Sequence, residues 1–266
     1  MDITSITDFL LDFQKKDISN RIAAELAKKP EYTDKFIYEG VVCGVASACD
    51  EVLASLKVNE AANIDLMQPR EWLPGAESVI SVFMPFARWI TEENAGGDWP
   101  SGAWLNGRIE GQASLIKTVL ALAERICEEG YEAIIPVLDP RFEMFSERCT
   151  SNWSERHVAF SAGVGTFGLS RGIITELGVA GRLASIVTTA RIEPTPRPYT
   201  DLLEYCIRCG ACARNCPPNA FSPELIKDNM ICDDFINKTR EIEKPYYGCG
   251  KCQSGMPCSF GVPGKN

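Results

Sequence analysis

The sequence predicts an α+β protein in two parts: an α/β body over residues 1–198 and a small metal-binding module over residues 199–266. Three observations carry this. Strand-like and long helix-like segments interleave through residues 35–195, the pattern of a layered body. Eight of the twelve cysteines crowd between Cys206 and Cys258. A proline-rich link, PTPRPY at residues 194–199, stands between the two regions. With 45% hydrophobic and 24% charged residues in 266, the chain can bury a core and is neither disordered, collagenous nor a small disulfide scaffold.

In chain order, residues 2–29 carry helical periodicity, first in ITDFLLDF and then in SNRIAAELAKK, which Pro30 ends. FIYEGVVCGVAS reads as a strand leading into the helix DEVLASLKV. After a turn at Leu73-Pro74-Gly75, the β-branched and aromatic run SVISVFMPF reads as a strand. NAGGDWPSGAWLNG, rich in glycine and tryptophan from Trp99 to Trp104, reads as a loop at the mouth of a site. A long helix follows from Arg108 to Glu129 and stops at Gly130. EAIIPV is a short strand, and SNWSERHVAFSA a helix capped by Ser151 or Asn152. RGIITEL and GRLASIVTTA are two further strands, read as a hairpin around Gly178 to Gly181.

The module begins with Cys206-x2-Cys209-x2-Cys212-x3-Cys216-Pro217, the run that bacterial-type ferredoxins use for 4Fe-4S clusters. Two-residue gaps let a tightly turned backbone aim three thiolates at one cubane, and Gly210 eases the turning. Zinc sites more usually show two separated C-x2-C pairs. The second group is Cys232, Cys249, Cys252 and Cys258. Eight thiolates suit two clusters: Cys206, Cys209 and Cys212 with Cys258, and Cys216 with Cys232, Cys249 and Cys252. A single cluster plus loose thiols is the competing reading, since Cys258 falls beyond Pro257, on the far side from a standard run. Of the other cysteines, Cys43 and Cys127 read as small core residues, and Cys49 and Cys149 lie in more polar stretches.

Gly163-Val-Gly165-Thr-Phe-Gly168 matches a dinucleotide fingerprint in letters only. A helix precedes it, a strand follows, and ASIVTTA lacks the acid expected downstream. It reads instead as a tight helix-to-strand turn, either purely structural or one that lets a ligand approach the backbone. His157 is the only histidine and reads as structural. No G-x-S-x-G, H-E-x-x-H or phosphate-loop motif occurs. A net charge of −9 argues against nucleic acid as a partner. The acidic N-terminus and the lack of a long apolar run lead to the expectation of a cytoplasmic protein with no membrane segment.

The module resembles that of epoxyqueuosine reductases and, more distantly, of reductive dehalogenases. The resemblance extends to LPGAESVISVFMP, to Trp153-Ser-Glu155-Arg-His-Val-Ala159 with the glycine turn after it, and to Tyr247-Gly-Cys249-Gly-Lys-Cys252-Gln253. It implies a nitroreductase-like α/β body that holds a corrinoid beside two 4Fe-4S clusters. Three departures stand out. Cys149 occupies the place of an aspartate proton donor, six residues before Glu155. Leu169, Ser170 and Arg171 stand where a lysine or asparagine is expected. The chain ends at Asn266, without the helical-repeat extension expected to aid tRNA recognition.

The expected function is therefore that of an iron-sulfur oxidoreductase. A ferredoxin- or flavodoxin-type donor would supply single electrons. Two clusters would carry them to cobalamin, with flavin as the second option, for a reductive cleavage of a small molecule. Cys149 is the candidate catalytic proton donor; Gly163, Gly165, Gly168, Arg171 and Thr188 are candidate pocket residues. The alternatives are a pure electron carrier and a redox activator of a corrinoid partner protein.

Overall fold

The computed structural model describes residues 1–57 and 66–265. Helix α1 (Ile3–Lys16) opens on a reciprocal cap: the Ser5 N–H donates to Asp2 Oδ1 (2.8 Å) and the Asp2 N–H to Ser5 Oγ (3.1 Å). The helix expected over residues 19–29 is absent beyond one 3-10 turn, Ile18–Asn20. The reason is Asn20, whose buried amide donates to Gln14 O and Tyr38 O and accepts from Tyr38 N. These bonds pull the following chain into a strap paired to residues 35–37 instead.

Strand β1 (Val42–Ser47) leads to α2 (Glu51–Lys57); the last residue of the expected DEVLASLKV helix lies outside the described residues. The short helix α3 (Pro69–Trp72), strand β2 (Ser78–Pro85) and helix α4 (Arg88–Glu93) follow. Helix α5 (Gly102–Glu128) starts at Gly102 rather than Arg108, because Ser101 Oγ accepts from Trp104 N and caps it. Trp104 is thus a first-turn residue, packed edge-on against Phe86. Cys127, expected in the core, is exposed on this helix.

Strands β3 (Ala133–Ile134), β4 (Met144–Phe145) and β5 (Thr150–Ser151) precede helix α6 (Glu155–Ser161). The α6 N-cap is Ser154, not Ser151 or Asn152; Asn152 is engaged with Glu143 N and Arg141 O. Next come β6 (Thr166–Phe167), β7 (Ile173–Ile174) and β8 (Gly181–Thr188). The expected β7–β8 hairpin does not form. Strand β8 lies between β2 and β3, which pairs with its last two residues, and β7 pairs with β6.

The main sheet runs β1-β2-β8-β3, antiparallel throughout, with Ile80 opposite Ile186. Both faces are covered. Ile80, Val82 and Met84 pack with Leu115, Val119 and Leu122 of α5; Val42 and Phe83 pack on the other side with Ala159 and Phe160 of α6. The layered α+β body is as the interleaved sequence pattern implies.

The link 194–199 is not free. Thr195 exchanges hydrogen bonds with Val45 (2.9 and 3.0 Å), Arg197 pairs with Asp50, and Tyr199 OH donates to Phe160 O. Beyond it lie α7 (Ala211–Arg214) and α8 (Asn229–Ile242). The module is keyed into the body. Lys251 is fully buried and donates to Asn94 O (3.0 Å), while Asn94 Nδ2 donates to Cys249 O (3.0 Å). Gly250 lies flat on the Trp104 ring, in a left-handed conformation (φ +66°) with no room for a Cβ.

Candidate iron-sulfur and cleft site

The module's turns bring the eight cysteines together in two sets. Cys206, Cys209, Cys212 and Cys258 line one cavity, walled by the Gly168–Ser170 turn. Gly210, left-handed at φ +69°, caps the short α7 that carries Cys212. Cys216, Cys232, Cys249 and Cys252 line a second cavity of about 160 Å³, walled on the body side by Phe86, Trp104 and Arg108. Burial pushes the Cys249 and Cys258 thiols up to about 12 and Cys212 to about 11, and the neighbouring thiols of the same regions add to the shift. Such thiols keep their protons until a metal displaces them. Among the described residues, no three His, Cys, Asp or Glu side chains are placed to hold a single metal ion.

Cations surround the second set. Arg108, Arg182, Lys227 and Lys251 line its cavity, and among the described residues none has a carboxylate at salt-bridge distance. Arg108 Nε is buried without a hydrogen-bond partner, and burial together with Arg182 pulls its guanidinium down to about 10. Lys227 donates to Ser170 O (3.2 Å) and stands 3.8 Å from Cys252 Sγ. Burial alone would lower its pKa, but the Cys252 and Cys232 sulfurs raise it overall. Cations withdrawn from water without a carboxylate partner favour an anion among them. An iron-sulfur cluster on four thiolates is one, so the donor set and its surroundings fit that group.

Two further cavities form a cleft against the module. One, of about 340 Å³, is lined by Cys149, Ser154, His157, Phe167, Gly168 and Arg171. The other, of about 250 Å³, is lined by Phe83, Glu155, Arg182 and Gln253. Arg156 is their common wall, fixed by a bond from Nη1 to Arg171 O (3.0 Å). Both Glu155 carboxylate oxygens are buried with no hydrogen-bond partner; the facing Trp153 and Ser185 bond to each other (2.9 Å). Burial raises Glu155 to about 7. Burial and then Arg156 lower His157 to about 4, leaving a neutral ring bonded to Ser154 and tilted on Phe167. Cys149 sits in a left-handed residue (φ 49°), with Sγ 3.4 Å from Met230 Sδ; burial, then Asp233, raises its thiol.

Of the pocket candidates, Cys149, Gly168 and Arg171 meet in one cavity. Gly163 and Gly165 face elsewhere, against Pro196 O and Ile174 O, where they allow close backbone approach. Thr188 is a correction. It is buried at the end of β8, where its hydroxyl donates to Glu132 O and accepts from Ala190 N, away from the cleft. The aromatic stretch borders the cysteine module, with Trp104 in the wall of the second cavity. Trp99 Nε1 donates to Glu243 and packs on Phe235, so the loop clasps the module instead of lining the cleft. Sequence reasoning missed Arg108, Arg182, Arg156 and Lys227. Each lies far along the chain from what it faces, so no local signal marks it.

Residues 201–222 match the 4Fe-4S binding domain family. The chain is thus an iron-sulfur protein built on an α+β body. Its fold is that of epoxyqueuosine reductases. The enzyme from Bacillus subtilis superposes with a TM-score of 0.53 at 18% identity, over 98% of this chain and 67% of that one. A structure of epoxyqueuosine reductase with an epoxyqueuosine-modified tRNA-Tyr stem loop gives 0.54 at 17%, over the same shares. The catabolic reductive dehalogenase NpRdhA is more distant, with a TM-score of 0.49 at 19% identity over 71% of this chain and 27% of that one. No curated protein matches the sequence significantly. Among the described residues no helix is long and apolar enough to cross a membrane.

Proposed function

We propose that the protein is an iron-sulfur reductase that brings single electrons through two 4Fe-4S clusters, one per cysteine set, to an acceptor in the cleft. One observation carries the reading: both cysteine cavities share walls with the cleft. Gly168 borders the first set and the larger cleft cavity. Gly181, Arg182 and Gln253 border the second set and the smaller one. Cavities of this size suit a drug-sized ligand, which a flavin is. A corrinoid is larger than either cavity and would need Arg156 to leave Arg171 O so that the two join. Gly168 and Arg171 would hold its periphery, and Glu155 would face it. When bound, cobalamin supplies a strongly reducing cobalt centre for breaking a C–O or C–halogen bond. The protein's own part is to exclude water, to orient an anionic substrate group on Arg156 and Arg171, and to hold protons at Cys149 Sγ and the Glu155 carboxyl.

The donor would be a ferredoxin- or flavodoxin-type protein meeting the exposed Cys209 edge. The substrate would be a small molecule, since the acidic chain repels nucleic acid. The test is metal analysis with EPR on anaerobically reconstituted protein, after incubation with hydroxocobalamin or flavin mononucleotide. About eight irons per chain and one retained cofactor are expected for two clusters and a loaded cleft. About four irons would overturn the two-cluster reading. Full iron with neither cofactor retained would overturn the loaded cleft and leave an electron carrier or activator.

A further inference from the structure

We infer that the cluster on Cys216, Cys232, Cys249 and Cys252 has the higher reduction potential of the two, and that Lys227 with Arg108 and Arg182 makes it so. This rests on the two-cluster reading above. A cluster held by four thiolates is anionic, and a further electron makes it more so. Buried cations therefore favour its reduced form and raise its potential, as do hydrogen bonds to sulfur.

The two cavities differ sharply in this respect. The second set has Arg108, Arg182, Lys227 and Lys251 in its lining and no carboxylate. Lys227 reaches Cys252 Sγ at 3.8 Å, and the Ala220 N–H donates to Cys216 Sγ at 3.4 Å. Lys251 is turned away to Asn94 O, which leaves the other three as the effective charges. The first set is lined by Leu169, Ser170, Ile174, Ile207 and Met256, with no charged side chain.

Charges outside the linings do not reverse this. Arg208 and Arg214 near the first set are exposed, as are Asp228 and Asp234 near Cys232, and water screens them. Asp233 is half-buried, but it accepts from Asn237 and does not line the cavity. Water at the exposed Cys209 raises the potential of the first set somewhat. Half-buried cations in the lining, with Lys227 3.8 Å from Cys252 Sγ, outweigh one wet thiolate.

The ordering gives the wire a direction. A low-potential one-electron carrier protein gives up one electron at the Cys209 edge. That electron passes to the Cys216 set beside Arg182 and the cleft; the carrier is oxidised by one and the second set reduced by one, with no bond or proton changed.

An EPR-monitored redox titration of the reconstituted full chain tests this. Two waves are expected, separated by at least tenfold in the one-electron equilibrium, about 59 mV. Cys258→Ser should remove the lower wave. Lys227→Gln should lower only the upper wave, Lys227→Arg should restore it, and Arg108→Gln should act as Lys227→Gln does. The inference fails if Cys258→Ser removes the upper wave, or if neither charge removal moves it. Iron near four per chain would instead sink the two-cluster reading beneath it.

Discussion

Replacing Glu155 by glutamine isolates the one buried acid of the cleft. Both carboxylate oxygens lack partners, and burial lifts the group from 4.5 to about 7. A rise of that size amounts to about 3 kcal/mol of preference for the protonated form. The sign follows from proton counts. Between 4.5 and about 7 the folded chain keeps a proton that the unfolded chain has released, so stability falls as pH rises through that window. Above the window about 3 kcal/mol has been lost. Glu155→Gln carries no charge at any pH and should lack this slope: little change from the parent near pH 4, and a gain of about 3 kcal/mol near pH 8. Infrared difference titration of parent against variant reads the group directly, as a protonated-carboxyl band that disappears with its midpoint near neutrality. A midpoint in the ordinary carboxylate range would refute the argument, because it would mean water reaches these oxygens.

Two other substitutions follow from the packing. Gly250→Ala drives a Cβ into the Trp104 ring from a left-handed residue; strain and overpacking together should cost about 3 kcal/mol. The check is a lower melting temperature and loss of iron from the Cys216 set. Arg156→Ala removes the wall between the cleft cavities and should tighten hydroxocobalamin binding relative to the parent; equilibrium dialysis of the reconstituted protein measures it, and unchanged affinity would show that Arg156 is not the divider.

Features set by neighbours in the chain were legible in the sequence. The cysteine run with Pro217 is local, and the runs that became β1, β2 and β8 alternate between two buried faces. What failed was set by distant partners. Residues 19–29 have helical periodicity, but Asn20 bonds to the backbone of Tyr38 and takes the chain elsewhere. The first turn of α5, Gly102 to Gly107, has the composition of a loop and becomes helix because Trp104 finds Phe86 and Gly250. Thr188 is a pocket candidate in the sequence, where nothing registers which end of a strand reaches a cleft. The cations around the second cysteine set arrive from α5, β8 and the segment before α8, and their meeting is visible only once the chain is folded.

The seat of Trp104 against Gly250 bears on how the protein matures. The second cysteine set has no complete cavity until Phe86 and Trp104 of the body close it. The C-terminal segment is therefore not a transferable cassette: cut free, it would lose one wall of its own iron site. A cluster bound there would gain its body-side wall only once the body has folded. The share of cluster absorbance that the second set adds would then report on the folding of the first two hundred residues, giving an optical screen for substitutions far from any cysteine.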